Sequence, residues 1–271
     1  MRIYVIGHNT WLGQKYINEF KNKNIEYVTS DYEVDSNDIV SNIAEEKVTH
    51  VIYCLGYQSV VDYGFNLTQN VKKNLYGPVH IAMFCHRYNI HFTYIGTGDI
   101  YDYDDDITPG GDRDFNEEDD PNYIRTIYHL VKGQTDRLIK VTDSLNLRIR
   151  RPITDNINEE DNHIAKLLKN KNKVSTIPNS YSVLDELIPI SLDMIDSQVR
   201  GTFNFTNPGK LSDDDILEMY KKTVDPELEW KTCKRDHESN ATFDVSLVEL
   251  SYKITPIQES LGNVLARIKE N

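Results

Sequence analysis

A chain of 271 residues, 39% hydrophobic and 27% charged, can bury a full core as one large α/β domain or as one domain with a smaller lobe. Its formal net charge of -13 argues against partners that present a phosphate backbone or an anionic membrane surface, so neither nucleic acid nor membrane is expected. Three widely spaced cysteines, Cys54, Cys85 and Cys233, with no C-x-x-C, indicate neither a disulfide framework nor a zinc site and suit a reducing cytoplasm.

The chain opens directly on a strand, "RIYVIG", with no basic-then-apolar leader, and no run of about 18 apolar residues follows anywhere. An unprocessed cytoplasmic protein is the expectation. After the strand, "VIGHNTWLG" puts Gly7 at a tight turn and Gly13 where the first helix, near 11–22, must approach the sheet closely. A dinucleotide pyrophosphate would meet backbone N–H groups at such a helix N-terminus. Thr10 stands where a G-x-x-G-x-x-G loop has its middle glycine, and a plain strand-to-helix turn explains the same pair of glycines.

The second strand, "IEYVTS", runs into Asp31, Glu33, Asp35 and Asp38, with no lysine or arginine between Lys23 and Lys47. A carboxylate here accepts from adenosine ribose hydroxyls, whereas a 2′-phosphate calls for a basic group, so NADH is favoured over NADPH. A solvated acidic loop is the other reading, and a basic residue can arrive from elsewhere in the fold.

A helix near 37–46 precedes the third strand, "THVIYCLG", and a longer one spans 66–89 with Gly77-Pro78 as an expected kink or break. The fourth strand, "HFTYIGTG", ends at Thr97, whose hydroxyl at a carboxyl strand end can share a substrate oxygen or satisfy its own turn. The acidic run that follows fails the calcium-loop template. Counted from Asp102, that template needs glycine sixth and glutamate twelfth, and the chain has Ile107 and Arg113. No metal is expected, and Asp102 to Asp106 read as a solvated loop.

In the helix near 123–143, Tyr128 and Lys132 are four residues apart on one face. A nearby ammonium lowers a phenol's pKa, which makes Tyr128 a credible general acid toward a carbonyl during hydride delivery. A half-buried tyrosine beside a snorkelling lysine is the alternative for this spacing alone. The fifth strand, "LNLRIRRP", carries Arg148, Arg150 and Arg151, of which one or two can offset substrate charge while strand alternation sends at least one to solvent.

Strands alternating with helices of this length build a doubly wound parallel sheet, a Rossmann-type α/β fold, over residues 1–152. Residues 153–271 break into shorter pieces and read mainly as a smaller substrate-binding lobe, some segments of which can return to the sheet.

Taken together, the Gly7/Gly13 loop, Asn74 in "KNLYGP", Thr97, Tyr128/Lys132 and "RRPI" resemble the extended short-chain dehydrogenase/reductases. The strings "IPNSYSVLDELIPISLDM", "GTFNFTNPG" and "ILEMYKKTVDPELEW" narrow the resemblance to the UDP-4-keto-6-deoxyglucose 3,5-epimerase/4-reductases, the UDP-L-rhamnose synthases. At greater distance the chain is similar to dTDP-4-dehydrorhamnose reductases. This resemblance implies a UDP-linked 4-keto-6-deoxyhexose as substrate, epimerised at C3 and C5 and reduced at C4 with NAD(P)H, and a homodimer. It implies cofactor contacts at Gly7, Thr10, Trp11, Leu12, Gly13, Asp31, Leu55, Gly56, Asn74, Tyr128, Lys132, Pro152 and Ile153. Reduction falls to Thr97, Tyr128 and Lys132, while Gly98 and Asn162 join Thr97, Asp99, Tyr128 and Lys166 around the sugar.

For epimerisation the family uses a cysteine two places after the threonine and a lysine in "N-x-I-x-K". Lys166 in "NHIAKL" matches the lysine, but the family's T-G-C-I-F reads T-G-D-I-Y here, with Asp99 in place of the thiol. A carboxylate can move a proton α to a ketone if suitably held, or merely cap a turn. Two alternatives remain: a 3-epimerase/4-reductase of a UDP-2-acetamido-4-keto-hexose, and a non-catalytic regulatory subunit that resembles the reductases.

Overall fold

The computed structural model describes residues 1–56, 67–234 and 239–270. These fall into two compact units, each assembled from three stretches of chain. The first comprises Met1–Ile100, Asp120–Arg148 and Ile188–Phe203, and the second comprises Tyr101–Asp119, Ile149–Leu187 and the chain from Asn204 onward.

The first unit is organised by a six-stranded sheet in the order β2-β1-β3-β4-β5-β7. Its strands are β1 (Arg2–Ile6), β2 (Glu26–Thr29), β3 (His50–Tyr53), β4 (His91–Thr97), β5 (Leu145–Ile149) and β7 (Gly201–Asn204). The pairs β1–β2, β1–β3 and β3–β4 are parallel, with Ile3 beside both Tyr27 and His50, and Ile52 beside Thr93. All five strands expected from the alternating pattern form, and the doubly wound parallel architecture is confirmed. Ile3 to Ile6 and the whole of β3 are buried, as befits central strands covered on both faces, whereas the edge strand β2 is half exposed.

Strand order reverses between β2 and β3 on either side of β1. An open parallel sheet leaves its ligand crevice at such a switch, above the carboxyl ends of the strands. The core beneath it gathers Tyr4, Ile6, Val51, Tyr53, Ile81, Phe92, Tyr94 and Ile139.

Helix α1 (Trp11–Lys23) buries Tyr16, Ile17 and Phe20 and ends at Asn24 in the left-handed region, φ 55°. Helix α2 (Asn37–Glu45) follows β2. The expected long helix is continuous but not uniform: α3 (Leu67–Val71) passes into a π-helical turn, Lys72–Tyr76, and then into α4 (Gly77–Arg87). Asn66, its first expected residue, lies outside the described residues.

The Gly77-Pro78 signal is therefore realised as a π turn just upstream. Pro78 has no N–H to give the carbonyl four residues back, and that carbonyl belongs to Asn74. The Thr135 hydroxyl, buried in α5 (Ile127–Lys140), donates to it instead. Gly77 is required by crowding, since a Cβ there would stand 2.6 Å from the Tyr53 hydroxyl.

The second unit has its own core, where Ile153, Ile164, Tyr181, Leu217 and Leu261 pack together. It contains α6 (His163–Lys169), the parallel pair β6 (Val174–Ser175) and β8 (Thr232–Cys233), α8 (Asp213–Thr223), α9 (Ser246–Glu249) and α10 (Ile257–Glu270). Helix α7 (Leu184–Asp196) begins in this unit and ends in the first. A capping box between Ser212 and Asp215 starts α8. Among the described residues, no helix is long and apolar enough to cross a membrane.

The arginines of "LRIRRP" depart from the strand-alternation expectation, because none faces solvent. Arg148 is 1% exposed and bidentate to Asp136, Nε–Oδ1 3.0 Å and Nη2–Oδ2 2.6 Å. Strand β5 stops at Ile149, and Arg151 turns into the left-handed region at φ 39°, so alternation no longer governs Arg150 and Arg151. Arg150 donates to Asn179 and Ser239, and Arg151 to Asp213 at 2.8 Å. Buried guanidinium groups need such acceptors to offset desolvation.

Candidate active site

The turn after β1 has the form that the sequence leads one to expect. Gly7 adopts φ +82°, and a Cβ there would stand 2.6 Å from the backbone N of Leu55. A Cβ on Gly13 would stand 2.1 Å from the Gly7 carbonyl, so helix and turn meet at a distance only glycine allows. Thr10 does more than occupy the missing glycine's place. It is the N-cap of α1: its hydroxyl accepts from the Gly13 N–H at 3.0 Å and donates to the Gly7 carbonyl at 2.7 Å.

The N–H groups of Trp11 and Leu12 lie in the first turn, where a helix has no carbonyl to offer them. The Trp11 indole N–H is buried without an acceptor among the described residues. A dinucleotide fits these observations: two glycines where side chains would intrude, a positive helix end, and donors to spare.

Beside Gly7 a cavity of about 150 Å³ is lined by His8, Ser30, Asp31, Tyr32, Leu55 and Lys73, among others. The Asp31 side chain is 90% exposed, 3.6 Å from His8 Nε2. The acidic strand end is also less bare than its sequence: Lys72 of the π turn reaches Glu33 at 2.9 Å and Asp35 at 2.8 Å. Gly56 is exposed, 3.9 Å from Asn74 Oδ1 if given a Cβ, while Asn74 is fully buried and donates from Nδ2 to Asn70 at 2.9 Å.

At the carboxyl end of β4 the first unit brings Thr97, Gly98, Asp99, Tyr128 and Lys132 together. Thr97 is the last strand residue, and its hydroxyl accepts from the Asp99 N–H at 3.1 Å. The same hydroxyl lies near enough to the Tyr128 phenol to draw its pKa downward. Tyr128 lies in the first turn of α5, whose N-cap Thr126 frees the helix to start there.

One turn on, Lys132 is 5% exposed and donates to the Tyr94 hydroxyl, its Nζ 4.6 Å from the centroid of that ring. Burial pulls the Lys132 ammonium down to about 8, against the opposing pull of the Asp136 and then the Asp99 carboxylates.

One expectation is corrected. Lys132 was to lower the Tyr128 pKa, yet Tyr128 is pushed upward, first by burial and then by the Asp99 charge, with only the Thr97 hydrogen bond opposing. Burial outweighs the ammonium, which donates its hydrogen bond to Tyr94, so the phenol stays protonated across the neutral range. Sequence reasoning missed Tyr94. Tyr94 lies three residues before Thr97 and reads as strand core, and only its place opposite α5 reveals it.

The remaining expected residues belong to the second unit. Lys166, on α6, has a side chain 47% exposed, its Nζ 3.9 Å from Asp161. Asn162 is fully buried and caps α6: Oδ1 accepts from the Ile164 N–H, while Nδ2 donates to Thr154 and Asn156. Its amide is thus committed to its own loop. Ile153 is a core residue whose N–H donates to the Ser182 carbonyl, and the Pro152 carbonyl accepts from the His163 N–H. Asp104 serves its own turn, accepting from the N–H groups of Asp106 and Ile107, whereas Asp102 accepts from the N–H of Asn240, far along the chain.

Residues 1–152 match the family model described as the RmlD substrate binding domain. The uncharacterized protein L780 of Acanthamoeba polyphaga mimivirus is 36% identical over 99% of each chain. The crystal structure of the L780 UDP-rhamnose synthase from that virus superimposes with a TM-score of 0.91, at 32% identity over 98% of this chain and 99% of the other. The Arabidopsis thaliana trifunctional UDP-glucose 4,6-dehydratase/UDP-4-keto-6-deoxy-D-glucose 3,5-epimerase/UDP-4-keto-L-rhamnose-reductase RHM1 is 33% identical over 84% of this chain, which spans 36% of that enzyme. The bifunctional dTDP-4-dehydrorhamnose 3,5-epimerase/dTDP-4-dehydrorhamnose reductase of the same plant is 31% identical over 84% of this chain and 79% of its own length. With its glycine turn, its parallel sheet and these relatives, the chain belongs to the RmlD substrate binding domain family.

Proposed function

We propose that the chain is a nucleotide-sugar 4-keto reductase that uses NAD(P)H on a UDP-linked 4-keto-6-deoxyhexose. In the fuller form of this reading it first epimerises the sugar at C3 and C5, so that UDP-4-keto-6-deoxyglucose leaves as UDP-L-rhamnose. The observation that carries it is the grouping of Thr97 and Tyr128 at the end of β4, with Lys132 one turn along α5. Kinship with the L780 UDP-rhamnose synthase supports the choice of sugar.

A bound nicotinamide supplies the hydride that reduces C4. The chain's part is the proton. Tyr128, held protonated by burial and by Asp99, gives its proton to the C4 oxygen as that oxygen gains charge, and Thr97 donates a second hydrogen bond to it. The tyrosinate left behind is stabilised by the positive end of α5 and by the Lys132 ammonium.

Epimerisation needs one group to remove a proton α to the ketone and another to return one on the opposite face. Asp99 and Lys166 are the proposed pair, with the carboxylate in the role the family gives to a thiol. Incubation with UDP-4-keto-6-deoxyglucose in deuterated water, with and without NADH, tests both halves. Deuterium at C3 and C5 together with cofactor oxidation is the expected result. Reduction without deuterium rejects the epimerase half, and neither reaction rejects the proposal.

A further inference from the structure

Tyr128 and Lys132 do not exhaust the polar stripe of α5. Asp136 follows one turn further on, so the three stand at i, i+4 and i+8 on one face of the helix. Lys132 and Asp136 are both buried there. The sheet meets this stripe strand by strand. Tyr94 of β4 accepts from the Lys132 ammonium, while Asn146 and Arg148, two residues apart on β5, donate to the Asp136 carboxylate. Oδ1 accepts from Asn146 Nδ2 at 2.8 Å and from Arg148 Nε at 3.0 Å, and Oδ2 accepts from Arg148 Nη2 at 2.6 Å.

A buried ion pair adds little net stability over apolar residues of the same size, so stability alone is a poor reason for one here. Lys132 supplies a better reason. Burial favours its uncharged amine, and the Asp136 carboxylate is the first charge that opposes this, ahead of Asp99. Asp99 is the group proposed to carry a proton during epimerisation, so its charge changes as the reaction proceeds. Asp136 is held instead by a guanidinium that never gives up its proton, and offers a countercharge that stays put. Tyr94 faces Lys132 from β4 with a hydroxyl, and the π turn meets α5 through the Asn74 carbonyl at Thr135.

We infer that Asp136 is a positioning residue for the reduction: it acts through Lys132, keeping the ammonium charged one turn from Tyr128, while Arg148 and Asn146 fix the carboxylate from β5. The inference rests on the reading of the chain as a reductase that works with Tyr128 and Lys132.

Carbon-13 NMR of the full chain with lysine labelled at Cε reads the Lys132 ammonium without turnover, its signal being assigned by its absence in Lys132→Met. In the unaltered protein this signal should titrate at about 8. Asp136→Asn combined with Arg148→Met removes both charges and strands neither. In that paired variant the signal should titrate lower by about one pH unit or more, and the falling limb of reductase kcat/KM should move down with it. Arg148→Gln alone leaves the carboxylate to Lys132, so signal and limb should both move to higher pH. The two changes run in opposite directions, so either variant decides the question if the other does not fold. A pair with a purely structural role would lower Tm and leave the Lys132 signal titrating where it does in the unaltered protein. That result overturns the inference while the reductase reading stands. An unaltered protein that reduces no UDP-linked 4-keto-6-deoxyhexose at any pH overturns the reading and, with it, the role assigned to Asp136.

Discussion

The Lys132 ammonium donates its hydrogen bond to the Tyr94 hydroxyl and lies 4.6 Å from the centroid of that ring. Lys132 is 5% exposed, so its charge depends on what the protein supplies, and Tyr94 on β4 supplies both an oxygen and a π face. The proposed Tyr128–Lys132 pair therefore leans on a third residue, from the strand opposite.

The pH dependence follows. Lys132 is depressed to about 8 by burial and must be cationic to stabilise the tyrosinate, while Tyr128 is raised and stays protonated. Reductase kcat/KM should be flat at neutral pH and fall as pH rises through about 8. In Tyr94→Phe the ammonium loses an acceptor, so the falling limb should move to lower pH and kcat/KM at pH 7 should drop by about 10-fold. A pH–rate profile in which the limb stays put assigns Tyr94 to packing alone.

Tyr128→Phe should lower kcat for reduction by about 10²- to 10⁴-fold, the usual contribution of a positioned general acid. Thr97→Val, which removes one hydrogen bond to the reacting oxygen, should cost about 10-fold. Both variants should still quench on NADH addition in a fluorescence titration, which separates lost chemistry from lost cofactor.

Asp99→Asn should abolish deuterium incorporation at C3 and C5 while a sugar already in the rhamno configuration is still reduced. It also removes a charge that raises Tyr128, so the phenol should titrate at lower pH than in the unaltered protein. Ultraviolet difference titration of the phenol reads this directly. Incorporation at an undiminished rate would leave Asp99 as a turn residue.

How much of this was legible in the sequence depends on how local each signal is. Gly7, Gly13 and Thr97 could be placed because a tight turn, a crowded helix start and a strand end are each fixed by their immediate neighbours. The five strands to Ile149 followed for the same reason. Tyr94 was not legible as a site residue, because it reaches Lys132 from a separate strand. The fate of the arginines was missed for a different cause: alternation presumes that the strand continues, and Arg151 ends it with a positive φ. Asn162 reads as a sugar contact only if its side chain is spare, and α6 uses that side chain for its cap.

Gly13→Ala should lower Tm by several degrees and weaken dinucleotide binding, since the new methyl would stand 2.1 Å from the Gly7 carbonyl and push α1 off the turn. Thermal melts with and without NADH check both effects. An unchanged Tm would show that the turn gives way without loss.

Acid should destabilise the chain through His50, which is 4% exposed and whose ring centroid lies 5.3 Å from that of His91 on the next strand. Burial, followed by the neighbouring His91, depresses His50 to about 4 against an unfolded value near ~6.5. Its neutral form is favoured in the fold, so stability is full above pH 6.5. It declines as pH falls from there toward 4, where the unfolded chain binds a proton that the folded chain refuses. His50→Asn should flatten the plot of Tm against pH over that window.

The π turn at Lys72–Tyr76 acts as a phase shifter. An α-helix advances about 100° per residue, so one residue more or less in a turn rotates everything before it by that angle about the helix axis. Pro78 and the Asn74 carbonyl, taken up by Thr135, keep the extra residue in place. Deleting a single residue from this turn would restore a regular helix and swing Lys72 and Lys73 away from the end of β2. The pairing of Lys72 with the acidic end of β2 is thus set by helical register as much as by residue identity, and a change of length here would alter it without any substitution at the strand end.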